Sequence, residues 1–217
     1  MENSSDRPHP FAGRIEDFIR GNPAAAAKIQ HIEVTGSDAW DLCVSVGWAG
    51  LGGMIIRRAA PEDLSALREF LMEGLSDHSR FLFAPYPYED DLGAALEAVL
   101  STSEERNILL YHAWLGDKII GHFFLGRFGE AIPDLGIAIA DHCHGIKLGH
   151  LFMTLLVGVC AVAGKEAIDL TTNPQNHAGF HLYKKIGFEH IGDREITVGN
   201  GIQRTEHEMR YRFIKPV

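Results

Sequence analysis

The sequence is poor in cysteine, in clustered positive charge and in long apolar runs. Its 217 residues include three cysteines, Cys43, Cys143 and Cys160, and no CxxC pair. Three cysteines cannot all pair within one chain, and this pattern is typical of free thiols in a reducing compartment. The pattern therefore argues against a disulfide-stabilised secreted scaffold, and the chain is long enough for one sizeable apolar core.

Positive charge is scarce because 20 Lys and Arg residues stand against 29 Asp and Glu residues, for a formal net charge of -9. Nucleic acids and anionic membranes bind clustered Lys and Arg, so neither is expected as a partner. The longest apolar stretch, 148–163, is interrupted by His150 and Thr154 and is shorter than the roughly 20 residues of a spanning helix. The start MENSSDRPHP has no basic and apolar signal region, and we expect a cytoplasmic protein.

The first 53 residues differ in composition from the remainder. Asn22-Pro23 precedes four alanines, and residues 47–53 are rich in glycine, which predicts a linker. We therefore divide the chain into an N-terminal extension, 1–53, with no assigned function, and one domain, 54–217.

Periodic patterns become clear from Met54 onward. Leu64, Leu67 and Leu71 recur at helical spacing after Pro61, and Gly116-Asp117 between two apolar runs predicts a hairpin. The predicted strands are 54–58, 107–114, 118–126, 135–140 and 167–172, with a final hairpin around 199–201, and the predicted helices begin at 61, 92, 148 and 176. Residues 79–88 form an aromatic, proline-broken loop. The fold class is α/β (α+β), with a mixed, mostly antiparallel sheet flanked by helices.

In the last strand, the odd-numbered residues from Thr205 to Phe213 alternate with Arg and Glu. This period of two predicts one buried face and one solvent face, with Glu206 on the polar one.

Residues 141–149 connect a strand directly to a buried helix through a glycine-containing turn. The first N–H groups of a helix have no partner within it, and the helix dipole adds positive potential, so such a turn suits a phosphate or pyrophosphate. Glycine turns are also common as plain connections, so this segment alone leaves both interpretations open.

A second motif lies at 176–188, where Asn176 precedes Tyr183 by seven residues and Gly187-Phe188 follows. These two segments resemble the GCN5-related N-acetyltransferase (GNAT) family. Residues 137–162 are similar to its strand, (Arg/Gln)-x-x-Gly-x-(Gly/Ala) loop and long helix, and 176–188 to its N-x-x-A-x-x-L-Y-x-x-x-G-F pattern. Three positions depart from the family patterns. In the loop, His144 replaces Arg or Gln and Lys147 replaces the first glycine, and in the second motif Gly179 replaces an alanine.

The resemblance implies an acyl-CoA-dependent N-acyltransferase (EC 2.3.1) that passes an acetyl group from acetyl-CoA directly to a primary amine. It implies strand contacts to the thioester and pantetheine, loop amides on the pyrophosphate, Asn176 on the pantetheine arm, and Tyr183 as proton donor to the sulfur. The implied cofactor-binding residues are Ile137, Ala138, Ile139, His144, Gly145, Ile146, Lys147, Leu148, Gly149, His150, Asn176 and Tyr183. Packing against the sheet is the other interpretation of Tyr183.

The catalytic base is open among Asp134, Glu130 and His122, which lie on or beside the central strands and equally suit turn or solvated positions. The acceptor wall implied by the resemblance is aromatic and acidic, which suits a cationic amine, although an ordinary packed loop has the same composition. This wall comprises Phe81, Phe83, Tyr86, Tyr88, Glu89, Asp90 and Asp91.

His142, Cys143, His144 and His150 cluster in sequence, but their spacing matches no zinc pattern, so we expect no metal. The expected acceptor is a small-molecule or peptide amine, and a homodimer is left open. The sequence leaves two alternatives open: a non-catalytic acyl-CoA-binding regulatory module, and an acyltransferase with a different donor or an O-linked acceptor.

Overall fold

The computed structural model describes residues 9–88 and 91–213. Its nine strands form one sheet in the order β1-β2-β3-β4-β5-β6-β7-β9-β8. All neighbouring strands are antiparallel except β6 and β7, so the predicted mixed, mostly antiparallel sheet is confirmed. The strands are β1 (Ile29–Thr35), β2 (Cys43–Trp48), β3 (Gly52–Arg58), β4 (Leu109–Leu115), β5 (Lys118–Gly126), β6 (Asp134–Ile139), β7 (Ala167–Thr172), β8 (Glu189–Thr197) and β9 (Gln203–Arg212).

Seven α-helices cover the sheet in the described part of the chain. They are α1 (Pro10–Gly21), α2 (Pro23–Ala26), α3 (Leu64–Glu69), α4 (Asp77–Leu82), α5 (Leu92–Thr102), α6 (Leu148–Val162) and α7 (His177–Ile186). The loop prediction for 79–88 is wrong at its start, because Ser76 caps α4 by accepting a hydrogen bond from the Ser79 amide. Glu89 and Asp90 of the expected acceptor wall lie outside the described residues.

Residues 9–53 extend the sheet and the core. Strands β1 and β2 add to β3 by antiparallel pairing, and Ile15 and Ile19 of α1 are fully buried. The predicted linker at 47–53 is wrong, because these residues form the tight β2–β3 hairpin, in which Gly50 and Gly52 have φ values of 85° and 107°. Glycine adopts such left-handed geometry without a steric penalty, so its abundance here reflects a turn.

Helix α6 is buried along nearly its whole length. It lies between the sheet and α1, which explains why its sequence is apolar on every side. The ring of Phe152 stacks on Phe123 at 4.7 Å, and a Cβ at Gly121 would approach Phe152 to 2.5 Å. This close packing fixes α6, and therefore its N-terminus, against β5. No helix in the described ranges is long and apolar enough to cross a membrane.

Strands β6 and β7 diverge along their length. In the described residues they share one registered pair, Asp134 with Asp169, and the Asp169 amide donates to the carbonyl of Pro133 at 3.0 Å. Arg210 of β9 holds this end by two hydrogen bonds of 2.6 Å to the Asp169 carboxylate. Beyond the pair the strands separate, and the gap opens at their C-terminal ends.

Candidate active site

A cleft of about 370 Å³ occupies the gap between β6 and β7, bordered by the start of α6, by α7 and by the end of α4. It brings together every predicted cofactor-binding residue except Ile146. Those lining it are Ile137, Ala138, Ile139, His144, Gly145, Lys147, Leu148, Gly149, His150, Asn176 and Tyr183. Ile146 does not line the cleft, and its carbonyl accepts a hydrogen bond of 3.0 Å from the Trp48 indole.

The turn before α6 presents free backbone amides. The amides of Cys143 and His144 donate to Ala140 and Asp141, whereas within the described ranges the next five, 145–149, donate to no acceptor. Gly145 and Lys147 have φ values of 78° and 73°, which turn the chain sharply into the helix. Consecutive free N–H groups at a helix start form an anion site, so the turn has the chemistry that a diphosphate needs.

Positive side chains add to this end of the cleft. Lys147 is exposed at its mouth. Burial is the largest cause of a lowered pKa at His150, and the ammonium groups of Lys147 and Lys185 lower this pKa further. Lys147 therefore places positive charge beside the free amides of a chain whose net charge is negative.

Asn176 and Tyr183 project from α7 toward the cleft. The Asn176 carbonyl oxygen caps α7 by accepting from the Gly179 amide at 2.9 Å, and its amide donates to Thr172 at 3.1 Å. The Tyr183 hydroxyl has no hydrogen-bond partner in the described part of the chain, and the residue is 7% exposed. Burial, followed by the nearby Glu206 carboxylate, raises the pKa of Tyr183 well above its usual value. Its hydroxyl therefore stays protonated at neutral pH and can donate.

The buried carboxylate near Tyr183 was not expected from the sequence. Glu206 is 3% exposed and pairs with Arg204 at 2.5 Å, and Arg204 also donates to the carbonyl of Phe81 at 2.6 Å. The prediction of Glu206 on a solvent face is wrong, because the end of α4 covers that face of β9. The alternating pattern carries no signal of this distant covering segment.

None of the three candidate bases lines the cleft. Arg127 binds Asp134 at 2.5 Å and Glu130 at 2.7 Å, at the closed end of the β6–β7 gap. His122 is fully buried in β5 and pairs in register with Ala138, which lines the cleft. Residues opposite each other in antiparallel strands share a face, so the His122 ring lies on the face of the sheet that carries the Ala138 side chain.

His122 belongs to a buried polar row that the sequence does not reveal. Arg57 forms two hydrogen bonds of 2.9 and 2.7 Å to Asp63, His112 Nδ1 lies 3.2 Å from the same carboxylate, and the Tyr86 hydroxyl lies 2.9 Å from His122 Nε2. The two imidazole rings are 5.2 Å apart. His112 Nε2 and His122 Nδ1 are buried without a hydrogen-bond partner among the described residues.

The electrostatics of this row follow from burial. Desolvation lowers the pKa of His112 and lowers that of His122 well below its usual value, so both rings are neutral at neutral pH. Burial alone would raise the pKa of Asp63, but hydrogen bonds from His112 and Arg57 hold it well below its usual value. The row thus consists of one carboxylate, one guanidinium, two neutral imidazoles and the Tyr86 hydroxyl.

The aromatic residues of the expected acceptor wall take different positions. Phe83 lines the cleft, and the Tyr88 hydroxyl donates to the Phe83 carbonyl at 2.6 Å. Tyr86 is buried against His122, whereas Phe81 is 47% exposed beneath the Arg204 guanidinium.

A family model described as "Acetyltransferase (GNAT) family" matches residues 67–188. A GNAT-family acetyltransferase structure from Streptococcus pneumoniae has 25% identity and a TM-score of 0.57, over 73% of this chain and 98% of that one. A search of curated proteins finds no match.

Two further structures share the fold at lower identity. Ribosomal-protein-S5-alanine acetyltransferase from Vibrio fischeri is 14% identical with a TM-score of 0.59, over 73% of this chain and 92% of that one. Mycobacterium smegmatis RimJ, in complex with CoA-disulfide, is 12% identical with a TM-score of 0.61, over 85% of this chain and 87% of that one.

Proposed function

This chain belongs to the acetyltransferase (GNAT) family and is an acyl-CoA-dependent N-acyltransferase, and we propose that it transfers an acetyl group directly to a primary amine of a small molecule or peptide. One observation carries the proposal. Gly145 and residues 147–149, with their free amides, and Tyr183, with its hydroxyl, line the same cleft between two strands that have separated. That cleft offers an anion site at one end and a proton donor within reach of a bound thioester.

Acetyl-CoA is the acyl donor in this assignment. The amides of Gly145 and of residues 147–149 bind its diphosphate, with the Lys147 ammonium supplying compensating charge. The backbone of Ile137, Ala138 and Ile139, on the cleft side of β6, runs beside the pantetheine and the thioester. Asn176 holds the start of α7 by its cap and so positions Tyr183.

The chemical step needs a neutral amine, a stabilised oxyanion and a protonated leaving group. The amine nitrogen attacks the thioester carbonyl carbon and forms a C–N bond. The C–S bond then breaks, and Tyr183 gives its hydroxyl proton to the departing sulfur. The proton lost by the amine goes to the base. Backbone N–H groups of β6 that face the cleft are suited to the oxyanion.

We assign the base to His122. Asp134 and Glu130 are each held by Arg127 at the closed end of the gap, whereas His122 neighbours Ala138 at the cleft. His122 is neutral because burial lowers its pKa, and its Nδ1 has no hydrogen-bond partner among the described residues, so this nitrogen is the atom proposed to take the proton. The His112 ring lies 5.2 Å from the His122 ring and contacts the ionised Asp63 carboxylate. This carboxylate would stabilise the positive charge that His122 gains when it takes a proton.

Tyr183→Phe tests the acid. We expect kcat to fall by about 10²- to 10⁴-fold, the range for a general acid, with acetyl-CoA affinity nearly unchanged. Calorimetry measures the affinity, and thiol release across a panel of amines measures turnover. Tyr211→Phe is the matched control, because Tyr211 lies on β9 outside the cleft. Unchanged turnover removes Tyr183 from catalysis, and a wild-type chain that binds no CoA thioester at millimolar concentration ends the whole proposal.

His122→Gln tests the base, with Asp134→Asn as its comparison. Glutamine retains hydrogen bonding but cannot take a proton, so kcat/KM should fall by about 10²-fold or more. Asp134→Asn should keep most of the activity, because this carboxylate is already bound to Arg127. The reverse ranking of the two variants would contradict the assignment.

A further inference from the structure

A second cluster of polar side chains lies on the β8–β9 hairpin, outside the cleft. It comprises His190, Asp193 and His207, which we call the hairpin triad. His190 Nε2 lies 2.9 Å and His207 Nδ1 lies 2.7 Å from the same Asp193 oxygen. All three potential ligand atoms lie within 4.8 Å of one another. The three side chains are accessible, with 36%, 53% and 27% exposed in that order.

A β-bulge makes this cluster. Residues three apart on a regular strand point to opposite faces, so His190 and Asp193 would normally diverge. The register slips between His190 and Gly192, where β8 has one extra residue, and Gly192 has a φ of 156°. The slip restores His190 to the face of Asp193, whose partner in β9 is His207. Bulges commonly re-aim side chains in this way, at functional positions.

The triad is also held from the side of α7. Phe180 packs edge-on against both imidazoles, at 6.0 Å from His190 and 5.5 Å from His207. The two imidazole rings are 4.7 Å apart. Hydrogen bonds from both rings lower the pKa of Asp193, so its carboxylate is ionised and accepts from both nitrogens. The side chains are therefore oriented before any ligand arrives.

The geometry fits one small divalent ion. Zinc lies about 2.0–2.2 Å from imidazole nitrogen and carboxylate oxygen, which places tetrahedral ligands about 3.4 Å apart. The nitrogen–oxygen distances of 2.9 and 2.7 Å need to open by less than an ångström. On binding, the hydrogen on each coordinating nitrogen moves to the other ring nitrogen or to solvent. Two imidazoles and one carboxylate make three ligands, and the exposed side leaves the fourth position to water.

We propose that the hairpin triad binds one Zn²⁺ ion, through His190 Nε2, His207 Nδ1 and an Asp193 oxygen. The ion links β8 to β9 across the bulge. The expectation of no metal rested on His142, Cys143, His144 and His150, which are in a different part of the fold. The proposal is independent of the acyltransfer chemistry, since none of its three ligands lines the cleft.

Adding ZnCl₂ to the chelator-treated protein tests the proposal. Calorimetry measures zinc binding, and thermal unfolding measures its effect on stability. We expect one ion per chain and a higher melting temperature with zinc. His207→Ala and Asp193→Asn should each weaken zinc binding at least about tenfold and abolish the rise in melting temperature. His31→Ala, which removes an exposed histidine from β1, should bind zinc as the wild type does.

The melting temperature of each variant in chelator shows whether the substitution itself destabilises the fold. Because the triad is exposed, the variants should melt near the wild-type temperature when no metal is present. X-ray absorption of the zinc-loaded protein supplies a second measurement, with two imidazoles expected around the ion. Failure of the wild type to bind zinc at about 100 μM overturns the proposal. Zinc binding that survives all three substitutions of the triad together also overturns it.

Discussion

Lys147 has a backbone conformation that glycine adopts more easily. Its φ of 73° is left-handed, a region in which a Cβ atom costs roughly 1–2 kcal/mol. The same residue places an exposed ammonium at the mouth of the cleft, beside the free amides of 145–149. A lysine at this position therefore costs backbone strain, and it supplies a positive charge that can attract an anionic ligand.

Comparing Lys147→Gly with Lys147→Ala separates the two effects. Both variants lose the charge, so acetyl-CoA affinity should fall several-fold at low salt and less at high salt. Only glycine is free of the Cβ clash, so the glycine variant should be about 1 kcal/mol more stable than the alanine variant. Urea unfolding and calorimetry at two salt concentrations measure these quantities. Equal stabilities, or an affinity unchanged at low salt, would contradict this account.

The β8–β9 hairpin holds the segment that follows α4. The Gly199 amide donates to the Ala84 carbonyl at 2.8 Å, and a Cβ at Gly199 would overlap the backbone of Tyr86. Arg204, farther along the hairpin, binds the Phe81 carbonyl. The segment supplies Phe83 to the cleft and Tyr86 to His122, so the hairpin fixes the segment that we propose as the acceptor side of the site.

Gly199→Ala should therefore displace the segment with Phe83 and Tyr86, which we propose as the acceptor side, and leave the proposed acetyl-CoA site unchanged. The new methyl group meets backbone, which cannot rotate away, so we expect a stability loss of about 1–3 kcal/mol. The KM for the amine should rise, and the affinity for acetyl-CoA should change little. Steady-state kinetics and calorimetry provide the two readouts. Gly53→Ala is the control, since no atom lies near its Cβ position, and a Gly199→Ala enzyme with unchanged amine KM would refute the role given to the hairpin.

The folded protein buries two histidines, His112 and His122, on the same face of its sheet. His112 and His122 are fully buried, and burial lowers the pKa of both. Above the usual histidine pKa of 6.5, both rings are neutral in the folded and in the unfolded chain. As the pH falls below that value, the unfolded chain takes up protons first, so the free energy of unfolding decreases.

Chemical unfolding between about pH 7.5 and pH 5 measures this effect. Each buried histidine can remove up to about 1.4 kcal/mol per pH unit once the pH is below 6.5. The His122→Gln protein, if folded, should lose stability less steeply over this interval, because one of the two groups no longer titrates. A wild-type stability that is flat between pH 6.5 and pH 5 would show that these histidines titrate normally in the folded protein.

Local patterns in the sequence predicted most elements from Met54 onward. Helix α6 and strand β7 begin and end where their periodicities do, and Gly187 ends α7 in a left-handed conformation. These features depend on neighbours within a few residues, namely helical spacing, turn glycines and caps. The motifs at 141–149 and 176–188 likewise sufficed to predict the family, which the family match at 67–188 confirms.

Tertiary structure alone decided which distant residues meet. The addition of β1 and β2 to the sheet, the burial of Glu206 beneath the end of α4, and the pairing of His122 with both His112 and Ala138 depend on strand register and covering segments. The hairpin triad depends on one extra residue in β8. Register is fixed by the sum of packing over a whole sheet, and a shift of one residue exchanges its two faces. A local pattern therefore predicts the strands but not the neighbours of their side chains.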